Sequence, residues 1–172
     1  MRNMFKKPHN IMLYKERTEF QEFGHAKKNF RLCYSCHAVY FNKSWHHLSA
    51  LKSTAMKKSE TLNLALCPAC HMIADRQHEG VLNIEDIPQK LQHELMNLIL
   101  SYTAKAYEKD CQHRLIAVNR KSKNSWVATT TENQLANKLA HKIKQVFDKV
   151  EVKTAYSTEP NDIERVTVKF TS

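Results

Sequence analysis

Four of the five cysteines fall in two C-x2-C pairs, Cys33-Tyr34-Ser35-Cys36 and Cys67-Pro68-Ala69-Cys70. A thiolate is a soft, anionic ligand, and two intervening residues let one tight turn aim both sulfurs at the same point. A second turn supplies the other half of a tetrahedron around Zn²⁺. Thirty residues separate the pairs, more than the usual gap of about 15–20. The spacing predicts a structural zinc site with Cys33, Cys36, Cys67 and Cys70 as ligands, framing the N-terminal half. Cys111 has no partner cysteine nearby and reads as a buried thiol, not a ligand.

Other chemistry is open to the same residues. Disulfides need an oxidising compartment. Residues 1–9 are polar and basic with no apolar run behind them, so the expectation is a reduced, cytoplasmic protein. Each pair is followed by a histidine, His37 or His71, giving the C-x2-C-H of covalent haem attachment twice. Attachment of that kind normally follows export, and no export signal is present.

A third possibility is hydrolytic. His46-His47, Asn63 and His71, in that order, resemble the HNH nucleases. There a doubled His, an Asn and a final His build a metal site for phosphodiester cleavage, beside a zinc held by paired cysteines. Asn63 lies one residue closer to Cys67 than that pattern implies, and the connector 52–59 lacks its glycine turn. The preferred assignment of His46, His47 and His71 is to the surface or to packing around the cysteine turns. A nuclease with His46 or His47 as base and His71 on a divalent ion stands as the alternative.

A chain of 172 residues with 42% hydrophobic content can bury a core, and no apolar run approaches membrane-spanning length. The 27 basic residues outweigh the 17 acidic ones, for a net charge of +10. A surplus of that size points to a polyanion, nucleic acid before others, and no membrane or small-molecule substrate is implied. Residues 1–31 hold eight basic and three acidic residues, half the surplus. The expected phosphate contacts are Lys6, Lys7, Lys27, Lys28 and Arg31 there, with Arg120, Lys121, Lys123, Lys138 and Lys142 further on.

The elements that position these groups follow from local pattern. Residues 1–29 read as a basic extended arm that orders on contact, and 30–87 as the zinc-binding module, a four-cysteine ribbon or knuckle. Val39-Tyr40-Phe41 leaves the first pair as a strand, and 62–66 leads into the second. Residues 80–84 are extended, and Pro88 starts a helix over 89–110 with Leu91, Leu95, Leu98, Tyr102 and Ala106 on one face. That amphipathic helix, within 88–111, is expected to link the halves. Over 112–172 come strands 114–119 and 126–130 around a basic loop, then a capping box at Thr131 and Gln134. A helix carrying Leu135, Leu139, Ile143, Val146 and Val150 inward and strands 152–156 and 163–170 complete the chain. The predicted class is α+β, with a β-β-α-β-β antiparallel sheet and a helix on one face.

Several segments occur together in one order. They are Cys33-Tyr34-Ser35-Cys36 with Trp45, residues 66–76 around Cys67-Pro68-Ala69-Cys70-His71, His113-Arg114-Leu115-Ile116, Val127–Thr131 and Leu135–Ala140. In these the chain resembles a group of small bacterial zinc-binding proteins that is itself similar to the core of the large-ribosomal-subunit export adaptor (the Nmd-three family). The likeness spans about 30–170, and its specific motifs are the cysteine pairs. It implies zinc on Cys33, Cys36, Cys67 and Cys70 and association with ribosomal RNA on the large subunit, in assembly, quality control or dormancy. The adaptor's further cysteine pairs, domains and export signals are lacking here, so transport is not implied.

Overall fold

The computed structural model describes residues 30–50, 63–156 and 164–171. The expected arm, with Lys6, Lys7, Lys27 and Lys28, lies outside them. Among the described residues no helix is long and apolar enough to cross a membrane.

Three short strands come first, β1 (Arg31–Cys33), β2 (Val39–Phe41) and β3 (Ser44–His46). Asn42 and Lys43 turn the β2–β3 hairpin, both at positive φ (50° and 64°). Two such residues match the right-handed twist of the flanking strands, and Asn tolerates the conformation best. β4 (Asn63–Ala65) runs parallel to β1, giving the order β3-β2-β1-β4, and leads into α1 (Pro68–Ala74).

The remaining elements are β5 (Gly80–Glu85), α2 (Gln92–Lys109), β6 (Leu115–Arg120), β7 (Trp126–Thr130), α3 (Asn133–Val146), β8 (Val150–Tyr156) and β9 (Glu164–Phe170). They form a five-stranded sheet in the order β6-β7-β5-β9-β8. Period-two alternation sets its buried face: Leu82 lies between Ala128 and Val166, and Ile84 between Trp126 and Val168, all fully buried. α3 covers that face with Leu135, Ala136, Leu139, Ala140 and Ile143.

The mixed α+β class holds, and the four-stranded antiparallel layer is corrected. β5 was expected to leave the cysteine module, yet it is the central strand, antiparallel to β7 and parallel to β9. Its Leu82 and Ile84 join the buried core of the larger sheet, not the apolar cluster around the cysteines. Gly80 permits the close approach at its start: a Cβ there would strike Thr130 Oγ1, the Glu132 carbonyl and Ala136.

α2 does more than link. A 3₁₀ turn over Gln89–Leu91 precedes it, and Leu95 and Ile99 are sealed in the core shared with α3. Thr103 continues that line and donates its hydroxyl to the Ile99 carbonyl at 2.8 Å. α3 ends sooner than its apolar pattern suggests. Val146 is 42% exposed, Lys149 turns the chain at φ 56°, and Val150 pairs with Phe170 as the start of β8. Phe147 takes the buried place instead, edge-on to Phe170. The capping box does not form, because Thr131 Oγ1 is used elsewhere and Glu132 occupies the N-cap position without a side-chain bond.

Candidate metal centre

β1 delivers Cys33, and the chain then turns sharply through Tyr34, Ser35 and Cys36. The His37 N–H closes the turn on the Cys33 carbonyl at 2.9 Å, and the Cys33 N–H bonds the Ala38 carbonyl at 2.8 Å. His37 sits at φ 60°, a conformation that costs a side-chain-bearing residue roughly 1–2 kcal/mol.

The second pair is built differently from the turn expected for it. Parallel pairing of β4 with β1 places Ala65 beside Cys33, so Cys67 arrives next to the first sulfur. The Cys67 N–H donates to Cys33 Sγ at 3.3 Å. Cys67 is the N-cap of α1, Pro68 follows in its first turn, and the Cys70 N–H donates to Cys67 Sγ at 3.4 Å. Proline has no N–H to waste in a first helical turn and holds the φ required there. The second half of the centre is therefore a helix start.

The four sulfurs of Cys33, Cys36, Cys67 and Cys70 lie within 4.8 Å of one another. Cys36 Sγ and Cys67 Sγ are 3.6 Å apart, close to the edge of about 3.8 Å that Zn–S bonds of ~2.3 Å give a tetrahedron. That separation is far beyond a disulfide bond of ~2.05 Å, and all five cysteines are free thiols. Four cysteines so placed can hold a metal ion.

Electrostatics lead to the same conclusion. Burial pushes the Cys67 thiol far up, and thiolates at Cys36, Cys70 and Cys33 would push it further, against one N–H from Cys70. Burial raises Cys70 as well. At Cys33 burial also acts upward but is outweighed by backbone N–H groups of Cys36, Cys67 and Ser35, which bring the thiol down to about 7. Four thiolates can share so small a buried space only around a cation.

One turn of chain after α2 holds this centre against the larger domain. Gln112 accepts the Ala69 N–H on its side-chain oxygen at 3.1 Å, and its own carbonyl receives the Thr131 hydroxyl at 2.5 Å. Arg114 donates from Nη1 to Cys70 Sγ at 3.4 Å and from Nε to the Cys111 carbonyl at 2.9 Å. Its guanidinium lies 4.7 Å from the centre of the Tyr107 ring. Burial disfavours that charge, and the sulfurs of Cys36, Cys70 and Cys67 more than restore it. Cys111 is buried in the same apolar cluster as Cys33, Cys67 and Cys70, outside the four-sulfur group.

His46, His47 and His71 make separate contacts, and His46 Nε2 is buried without a hydrogen bond among the described residues. His47 Nε2 donates to the Tyr107 carbonyl at 2.5 Å. His46 packs on Phe41 with ring centres 4.2 Å apart. His71 Nδ1 is 3.1 Å from Asp75 in the next turn of α1. Asn63 is exposed in β4, its N–H on the Phe30 carbonyl. Among the described residues, the four cysteines are the one group of three or more Cys, His, Asp or Glu side chains close enough to share an ion.

The basic residues are dispersed. Arg31 was expected to reach phosphate but is buried, its guanidinium 5.3 Å from the Tyr40 ring centre. Its strand lies inside the small sheet, and β1 directs the side chain inward. Arg120 is exposed and lies over Trp126, and Lys121 and Lys123 stand exposed in the β6–β7 loop. That loop touches the start of α2 through Gln92 Nε2 on the Lys123 carbonyl, whereas Tyr107 at the far end of α2 meets the cysteines. The 18 residues of α2 separate the two ends by about 27 Å. Lys138 and Lys142 lie between them on α3, bordering a cleft with Tyr102. Arg114 was missed as a member of the centre. No spacing rule links it to the cysteine pairs, because tertiary packing brings it there.

No family model matches this chain, and no curated protein compared with it proved similar.

Proposed function

We propose that the protein is a zinc-stabilised, non-catalytic factor that binds ribosomal RNA on the ribosome, chiefly on the large subunit, in assembly, quality control or dormancy. The observation that carries this reading is the closed set of four sulfurs fixed to the domain that bears the basic surfaces. Zn²⁺ on Cys33, Cys36, Cys67 and Cys70 would supply a rigid node for folding. A four-cysteine set leaves no open coordination position for water or substrate, which is the mark of a structural site. Arg114 and Gln112 then hold the small sheet at one end of α2 while Arg120, Lys121 and Lys123 stand at the other. A net charge of +10 that includes two separate basic groups, Arg120, Lys121 and Lys123 at one place and Lys138 and Lys142 on α3 at another, suits a large folded polyanion better than a small ligand. Nothing in the placement of His46, His47, Asn63 and His71 favours the nuclease alternative.

Sedimentation of a cell lysate tests this. The protein is expected to travel with the large subunit in a low-salt sucrose gradient and to be released as salt rises, because phosphate neutralisation is salt-dependent. A protein that stays in the free fractions at low salt contradicts the proposal.

A further inference from the structure

Between α2 and α3 lies an open cleft of about 390 Å³ lined by Tyr102, Lys138, His141, Lys142 and Gln145. We infer that this cleft seats a phosphorylated strand segment, with RNA phosphates on Lys138 and Lys142 and a base against Tyr102. The inference rests on the rRNA-binding reading and assigns it a place.

Charge comes first. α3 carries Lys138, Lys142 and Lys144 and no acidic residue over its 14 positions. None of the ion pairs among the described residues uses Lys138 or Lys142. Two like charges at i and i+4 repel, costing a helix a few tenths of a kcal/mol that a bound anion removes. Every side chain lining the cleft has a group able to donate a hydrogen bond, and none is a carboxylate. Oxygen-rich anions are the matching class.

Geometry then selects among anions. Lys138 and Lys142 are one helical turn apart, with Cβ atoms spaced about 5–6 Å, which suits adjacent phosphates along one RNA strand. Across the cleft stands the half-buried Tyr102 of α2, packed in part against the core and in part lining the opening. Stacking on such a ring is available to a nucleobase and not to a glutamate-rich peptide. Arg120 at the end of β6 and Lys121 and Lys123 in the β6–β7 loop share the charge but lie against the start of α2, outside this cleft.

The test is fluorescence anisotropy with a short labelled single-stranded RNA, titrated between about 50 and 200 mM salt, using the full zinc-loaded chain. K138Q/K142Q exchanges one exposed and one half-buried lysine for uncharged polar side chains and is expected to melt at or slightly above the wild-type temperature. It should lower the slope of log K against log salt by about 1.4, the value for two lost phosphate contacts on a single strand. Y102L should weaken binding about tenfold with the slope unchanged, because stacking releases no counterions. If wild type binds RNA and K138Q/K142Q keeps its slope, the cleft assignment is wrong while the rRNA reading survives. If wild type binds no RNA at all, that reading fails as well. ATP and poly-glutamate are run beside the RNA. Binding of either that is lost in K138Q/K142Q, with RNA binding unaltered, assigns the cleft to a free nucleotide or an acidic protein and overturns the strand.

Discussion

Arg114 Nη1 stands 3.4 Å from Cys70 Sγ, so a guanidinium from the larger domain caps the sulfur cluster of the smaller one. Four thiolates on a divalent ion leave two negative charges in a buried site, and Arg114 is the charge that answers them. Replacement of Arg114 by Gln is expected to weaken metal retention about 10–100-fold, the usual range for groups that support metal ligands. Competition with a chromogenic chelator reads this directly. Lys at the same position should recover only part, since an ammonium cannot reach Cys70 Sγ and the Cys111 carbonyl in one planar fork. Metal release from the Gln variant at the wild-type rate would show that Arg114 merely packs.

Removing the metal should separate the two cores. Trp45 belongs to the apolar cluster around the cysteines and Trp126 to the core beneath α3. With a W126F background reporting Trp45 and a W45F background reporting Trp126, a strong chelator is expected to red-shift Trp45 emission and leave Trp126 buried. Cys67→Ser should reproduce the Trp45 change without chelator, because it removes one of the four sulfurs while its hydroxyl can still cap α1. Loss of both signals together would mean that the larger sheet also depends on the ion.

The thiols also set how metal loading responds to pH. Burial raises Cys67 and Cys70 above the ordinary thiol value of 9.0, so an incoming ion must displace their protons. Metal affinity, read by competition with a chelator, is therefore expected to rise as pH increases from about 7 to 9. An affinity that stays flat over that range would contradict the thiolate assignment.

Local chemistry made the cysteine centre legible before any coordinates, because C-x2-C geometry is set within four residues. The α3 core line through Leu135, Leu139 and Ile143 and the β7 span were readable for the same reason, being periodic over short range. What failed was non-local. The partners of β5 lie across α2 and at the far end of the chain, and nothing in Gly80–Glu85 announces a parallel partner at β9. Thr131 looked like an N-cap, but its hydroxyl gains more by joining the Gln112 carbonyl and the Arg114 N–H across two elements. Arg31 and Arg114 show the same limit in charge. Both were counted with the basic surplus, yet one lies over Tyr40 and the other against sulfur.

Elemental analysis of protein purified without added metal, joined to X-ray absorption at the zinc edge, is the most direct measurement. One zinc per chain with four sulfur neighbours at about 2.3 Å is the expected result. A metal-free protein that keeps Trp45 buried, or an ion with nitrogen or oxygen in place of any of the four sulfurs, would contradict it.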